Sequence, residues 1–126
     1  MQLRAALSSL FMLLALAGPA AAHGILLEST PRSGETVAAG VPRVDLRFNS
    51  RIEHALSQIL LTGPLGERVP LPAGPSKKAG PDRLAVPLTI LPPGLYTVHW
   101  RVFTVDGHLS HGRFSFQIAQ RGSRGE

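Results

Sequence analysis

The chain has 126 residues, no cysteine and a formal net charge of +5, with 13 lysines and arginines against 8 aspartates and glutamates. Without cysteine a disulfide-stapled fold is excluded, so a domain of this size depends on packing alone. The basic residues are scattered along the chain and no aromatic residues are interleaved with them, which excludes the usual footprint of a nucleic-acid-binding protein.

Residues 1–22 have the pattern of a secretory signal peptide. Arg4 supplies a positive start, the segment LFMLLALA at 10–17 is apolar, and the three alanines at 20–22 match the small-residue cleavage pattern. The apolar segment is too short to span a bilayer as a mature helix. We therefore expect cleavage after Ala22 and export of a soluble protein.

Processing after Ala22 would leave 104 of the 126 residues, enough for one small domain with a single core. We expect that domain to occupy residues 23–119. The remaining residues, 120–126, end in RGSRGE and are expected to form a disordered tail.

The domain reads as a series of short strands separated by glycine and proline. Alternating polarity or β-prone composition predicts strands in five segments, at 43–48, 57–63, 83–88, 94–105 and 112–119. The proline-rich segment at 70–81 is expected to be an exposed loop. With about seven short strands in all, the pattern predicts an all-β fold, an immunoglobulin-like β-sandwich.

The residue exposed by signal-peptide cleavage is His23. Its new α-amino group has an ordinary pKa of about 7.7–8.0, so the amine loses its proton to a metal at little cost near neutral pH. The amine and the ring Nδ1 of the same residue can then chelate one ion. Alone the signal is weak, because a histidine follows such a cleavage site by chance in about one chain in twenty to forty on our own prior.

A second candidate donor pair lies in the segment VDGHLSH at 105–111. In an extended backbone, Asp106 and His108 would project to the same side, about 6.5–7 Å apart at their Cα atoms. Gly107 between them leaves the approach to an ion unobstructed. The alternative is that Asp-Gly-His simply forms a turn, since aspartate and glycine favour turns.

With His23, this pair would give three nitrogen donors and one oxygen donor, a set that suits one Cu(II) ion in tetragonal geometry. Both methionines, Met1 and Met12, leave with the signal peptide, so no soft sulfur donor for Cu(I) remains. We expect bound copper to be Cu(II).

Three further histidines carry donor nitrogens. His111 is near enough in sequence to join or modulate the site, although in a straight strand it would face away from His108. His99 alternates out of the core and is interpreted as a surface residue. His54 is interpreted as a solvated loop histidine.

The segments AHGILLESTPRSGE, VPRVDLRFNSRIE and PPGLYTVHWRVFTVDGHLSHGRFSFQI together resemble the CopC family of periplasmic copper-binding proteins. The resemblance covers nearly all of residues 22–119. It implies a Greek-key β-sandwich in the periplasm and a Cu(II) site formed by the amine and ring of His23 with Asp106 and His108. Some members carry a methionine-rich Cu(I) site that this chain lacks, and His111 is an addition to the motif.

The resemblance favours a monomeric Cu(II) carrier or buffer for copper resistance or import, binding one ion per chain and without enzymatic activity. Some relatives are fused to a membrane copper-transport domain, so the expected partner here is a separate inner-membrane transporter of the CopD kind. Two alternatives stay open. One is a small copper oxidase or monooxygenase with an N-terminal histidine brace, and the other is a metal-free structural sandwich.

Overall fold

A computed structural model describes residues 24–120 of the chain. The predicted signal peptide, the candidate ligand His23 and the tail residues 121–126 lie outside the described residues. None of the helices within the described part is long and apolar enough to cross a membrane.

Strands make up nearly all the regular structure between residues 24 and 120. They are β1 (Leu26–Thr30), β2 (Thr36–Val37), β3 (Arg43–Phe48), β4 (Gln58–Thr62), β5 (Arg68–Val69), β6 (Arg83–Pro87), β7 (Gly94–Phe103) and β8 (Leu109–Ile118). Two single turns of 3-10 helix, His54–Leu56 and Lys77–Ala79, lie in the connections. The second of these is within the predicted 70–81 loop, most of which is indeed irregular.

The strands form two sheets. One has three strands in the order β1-β3-β6, and the other has five in the order β2-β8-β7-β4-β5. All pairings are antiparallel except the short pairing of β2 with β8. The predicted all-β sandwich is therefore confirmed.

The core lies between the sheets because apolar residues alternate along the strands. In β3, Val44, Leu46 and Phe48 are at most 1% exposed, and the intervening residues are charged. In β7, Val98 and Val102 are fully buried. This two-residue period is what makes one face of each strand apolar and gives each sheet one buried side.

Trp100 lies on the inner side of β7, as the alternation predicts. Its ring meets Phe48 of the opposite sheet edge to face, with centroids 5.2 Å apart. Gly112 is directly opposite on β8, and a Cβ there would lie 2.5 Å from Cζ2 of the indole. Because glycine has no side chain, the indole of Trp100 can pack against the backbone at this position.

The β7–β8 hairpin is the longest element of the fold. Its register runs without interruption from Gly94 opposite Ile118 to Phe103 opposite Leu109. Just beyond its end, Thr104 forms an isolated bridge with Ile52. The five residues at 104–108 that join the two strands therefore project from a rigid support.

Candidate metal site

Asp106 and His108 lie in the turn between β7 and β8. The Thr104 N–H donates to the His108 carbonyl (2.8 Å) and the Gly107 N–H donates to the Thr104 carbonyl (2.9 Å), which closes the turn. Gly107 has φ +90°, a conformation that favours glycine. The backbone at Asp106 and His108 is therefore a turn, and the extended geometry expected for these two residues was wrong.

The turn nevertheless brings the two side chains together. Oδ1 of Asp106 lies 3.1 Å from Nδ1 of His108, and the side chains are 46% and 59% exposed. A carboxylate and an imidazole at this separation can lean onto one ion at the surface. The two side chains thus meet through a turn and not through strand periodicity, and their binding of a metal stays a prediction.

The buried Thr104 forms hydrogen bonds with both residues of this pair. It is 1% exposed, and its hydroxyl donates to Oδ1 of Asp106, with the His108 carbonyl at 3.3 Å as a second acceptor. The same oxygen accepts the His108 N–H at 3.0 Å. One buried hydroxyl thus fixes the carboxylate and the backbone of the imidazole residue.

Sequence reasoning missed Thr104. The signal was available, because a threonine two residues before Asp-Gly is a common way for a hydroxyl to bond the backbone of a following turn. What the sequence does not reveal is that the hydroxyl is buried, since burial depends on packing against the rest of the domain.

We expect Thr104→Val to lower the free energy of unfolding by about 1–3 kcal/mol, because the change removes the hydroxyl that donates to Asp106 and accepts the His108 N–H in a partly buried turn. Thr104→Ser keeps the hydroxyl and should cost less. Urea denaturation gives the stabilities, and amide hydrogen exchange at His108 reports the turn itself. Equal exchange rates at His108 in the valine and serine variants would contradict this role of the hydroxyl.

The start of the described chain packs against the same turn. Gly24 is buried and has φ +74°, and a Cβ there would lie 2.9 Å from Cβ of Ser110 and 3.3 Å from Cγ2 of Thr104. Its N–H donates to Oγ of Ser50 (3.3 Å). The Ile25 N–H donates to Oδ1 of Asn49 (2.8 Å). The segment is therefore fastened beside the turn, with His23 as the next residue outside the described range.

His111 lies on a different side of the hairpin. β8 begins at Leu109, three residues before the predicted start, so His111 is a strand residue opposite Arg101. Its neighbour Ser110 is opposite the fully buried Val102 on the inner face, so His111 faces outward and is exposed. Participation of His111 in the site stays a prediction. Its position on the outer face of the sheet argues against it as a metal ligand.

The other two histidines have structural partners. Nε2 of His54 lies 2.9 Å from the Gly80 carbonyl and 2.8 Å from the Arg83 carbonyl, so this nitrogen carries a hydrogen and fastens a connection to the start of β6. Its interpretation as a solvated histidine was wrong. Nε2 of His99 lies 3.2 Å from Oγ1 of Thr62 on the outer face of the sheet, as its alternation predicts.

Within residues 24–120, no group of three or more histidine, cysteine, aspartate or glutamate side chains is arranged to hold a metal ion. Asp106 and His108 supply two donors. The segment at Gly24 packs beside this pair.

Comparison with known proteins points to one family. A family model described as the CopC domain matches residues 26–119. Protein YobA of Escherichia coli K12 is 33% identical over 98 residues, covering 77% of this chain and 79% of YobA.

Solved structures agree with this match. CopC from Methylosinus trichosporium OB3b has a TM-score of 0.72 and 30% identity, and the match covers 79% of this chain and 96% of that one. PcoC of Escherichia coli, described as a methionine-rich copper resistance protein, has a TM-score of 0.67 and 28% identity, with 78% and 100% covered.

Proposed function

Since the chain belongs to the CopC family of copper resistance proteins, we propose that it is an exported carrier for one Cu(II) ion. The ion is held between the processed amino terminus and the β7–β8 turn. Its donors are the amine and ring nitrogen of His23, the carboxylate of Asp106 and the imidazole of His108.

The packing of Gly24 is the observation that carries this proposal. Gly24 lies against Thr104 and Ser110, which flank the Asp106–His108 pair. Because consecutive Cα atoms are about 3.8 Å apart, we propose that a ligand one residue ahead of Gly24 can reach the turn. Cleavage after Ala22 would give that residue both a free amine and an imidazole, which supplies the donors that the turn lacks.

The chemistry of the donors favours the oxidised ion. Nitrogen and carboxylate oxygen suit Cu(II), whereas Cu(I) is selected by thiolate and thioether sulfur. The sequence after Met12 contains no methionine or cysteine. This composition separates the chain from the methionine-rich PcoC and supports a carrier dedicated to Cu(II).

The exposure of the pair fits a carrier better than a catalyst. Roughly half of each side chain is accessible, 46% for Asp106 and 59% for His108, so an ion there can be reached by an acceptor protein. An anionic oxygen donor stabilises Cu(II) and disfavours the redox cycling that an oxidase needs. In the periplasm, the acceptor would be a membrane copper transporter.

Paramagnetic resonance of the processed protein loaded with one equivalent of Cu(II) tests the donor set. We expect nitrogen hyperfine structure from three nitrogens. Asp106→Ala should change the spectrum and weaken binding, whereas His111→Ala should leave both unchanged. A titration that shows no stoichiometric Cu(II) binding, or a spectrum indifferent to Asp106→Ala, would refute the proposed site.

A further inference from the structure

The outer face of the five-stranded sheet carries a cluster of basic side chains beside the candidate site. Arg101 on β7 is opposite His111 on β8, and His99 is opposite Arg113. We call these four residues the basic face. Directly opposed side chains in antiparallel strands have Cβ atoms about 4.5–5.5 Å apart, so the four form one compact group.

In the part of the chain that the structure describes, no carboxylate is paired with the arginines of this face. In residues 24–120, neither Arg101 nor Arg113 forms an ion pair, and the guanidinium of Arg101 lies 5.5 Å over the ring of Phe103. No acidic residue occupies the outward positions of the three central strands, which are Gln58, Leu60, Thr62, Leu95, Thr97, His99, Arg101, Phe103, Leu109, His111, Arg113, Ser115 and Gln117.

The three-stranded sheet provides the contrast. There, Arg47 lies 3.0 Å from Glu28 and Arg83 lies 3.1 Å from Asp45. The three-stranded sheet therefore pairs these outward arginines with carboxylates, whereas Arg101 and Arg113 of the five-stranded sheet lie opposite histidines. Like charges directly opposite each other on neighbouring strands are destabilising, so each arginine–histidine pair costs stability when its histidine is protonated.

The basic face is continuous with the turn that carries Asp106 and His108. His111 is three residues beyond His108, about 10 Å along the chain at the rise of a strand. Val105 and Leu109, at the two sides of the turn, are 56% and 49% exposed and extend the surface with apolar area. A protein seated on this face would therefore have the metal turn at the edge of its contact.

Resting on the proposed function, we propose that the basic face is the docking surface for the protein that exchanges copper with this one, and that the partner presents clustered carboxylates to it. Complementary charge mainly speeds and orients such encounters, which suits a transient exchange. A protein surface fits better than a lipid surface, because basic clusters that bind anionic lipids usually contain about four to eight lysines and arginines.

A decaglutamate peptide serves as the probe, titrated into isotopically labelled, processed protein at low salt. We expect amide shifts concentrated on the basic face. The double variant R101Q/R113Q should bind the peptide about 10–30-fold more weakly, as expected for two exposed ion pairs in the upper half of their usual strength. K77Q/K78Q removes two exposed charges elsewhere and should bind within about twofold of wild type.

Equal weakening in the two double variants would show that only net charge matters and would overturn the proposal. The proposal would also be overturned if the protein bound phosphatidylglycerol vesicles through Arg101 and Arg113 but did not bind the peptide. Cu(II) affinity measured on the same proteins tests the proposed function separately from the proposed docking surface. R101Q/R113Q should keep wild-type Cu(II) affinity, and failure of all the proteins to bind Cu(II) would refute the proposed function without bearing on the peptide result.

Discussion

A single residue left ahead of His23 is expected to weaken Cu(II) binding by about two to four orders of magnitude. An added residue converts the α-amine into an amide, which no longer offers a lone pair to the metal without losing a further proton. The imidazole then binds without its chelating partner. Joining two donors in one residue makes the second binding step intramolecular, which raises overall affinity by about 10²–10⁴-fold.

Three forms of the protein test this expectation by competition titration with a Cu(II) chelator. They are the processed chain, a chain with methionine retained before His23, and His23→Ala, which keeps a free amine but loses the ring. We expect both altered forms to bind far more weakly than the processed chain, with similar unfolding curves for the metal-free proteins. Equal affinity of the processed and extended forms would exclude the amine as a ligand.

The strand architecture could be predicted from the sequence because it depends on local alternation. Val44, Leu46 and Phe48 alternate with charged residues, and this two-residue period survives in the fold with the apolar members buried. The inward direction of Trp100 followed from the same rule. Local periodicity thus fixed which face of each strand is buried, and two apolar faces then pack as a sandwich.

The geometry of the candidate site could be predicted only in part. The residue types of Asp106 and His108 pointed to a donor pair, but the direction of their side chains comes from a turn held by the buried hydroxyl of Thr104. His54 shows the same limit, since its ring bonds carbonyls 26 and 29 residues away. Contacts at such distances depend on how the strands are arranged, which alternation does not determine.

The basic face could not be predicted from the sequence, for a related reason. Arg101 and Arg113 are twelve residues apart in the sequence and read as isolated surface charges. The register of β7 with β8 places each beside a histidine of the opposite strand. A single step in the register of a strand would move its side chains to the inner face, so their grouping depends on the pairing and not on composition.

Gly24→Ala is expected to lower Cu(II) affinity by about 10–100-fold without removing any ligand, a loss typical of disturbing groups that orient a metal site. The backbone at Gly24 has φ +74°, where a side chain is strained, and the new Cβ would lie 2.9 Å from Cβ of Ser110. Gly24 is the second residue of the expected mature chain, so local detachment of the terminus relieves the strain more cheaply than unfolding. We therefore expect little change in the midpoint of thermal unfolding.

Gly34→Ala is the matched control, because Gly34 has nearly the same φ of +76°, but a Cβ added there would meet no atom within 4 Å. Strain at this interior position has no free end through which to relax, so we expect a loss of about 1–2 kcal/mol in the free energy of unfolding. Its Cu(II) affinity should stay unchanged. Adding Ser110→Gly to Gly24→Ala removes the closest contact and should restore part of the affinity. If Gly24→Ala binds Cu(II) like wild type, the packing of Gly24 does not deliver His23 to the turn.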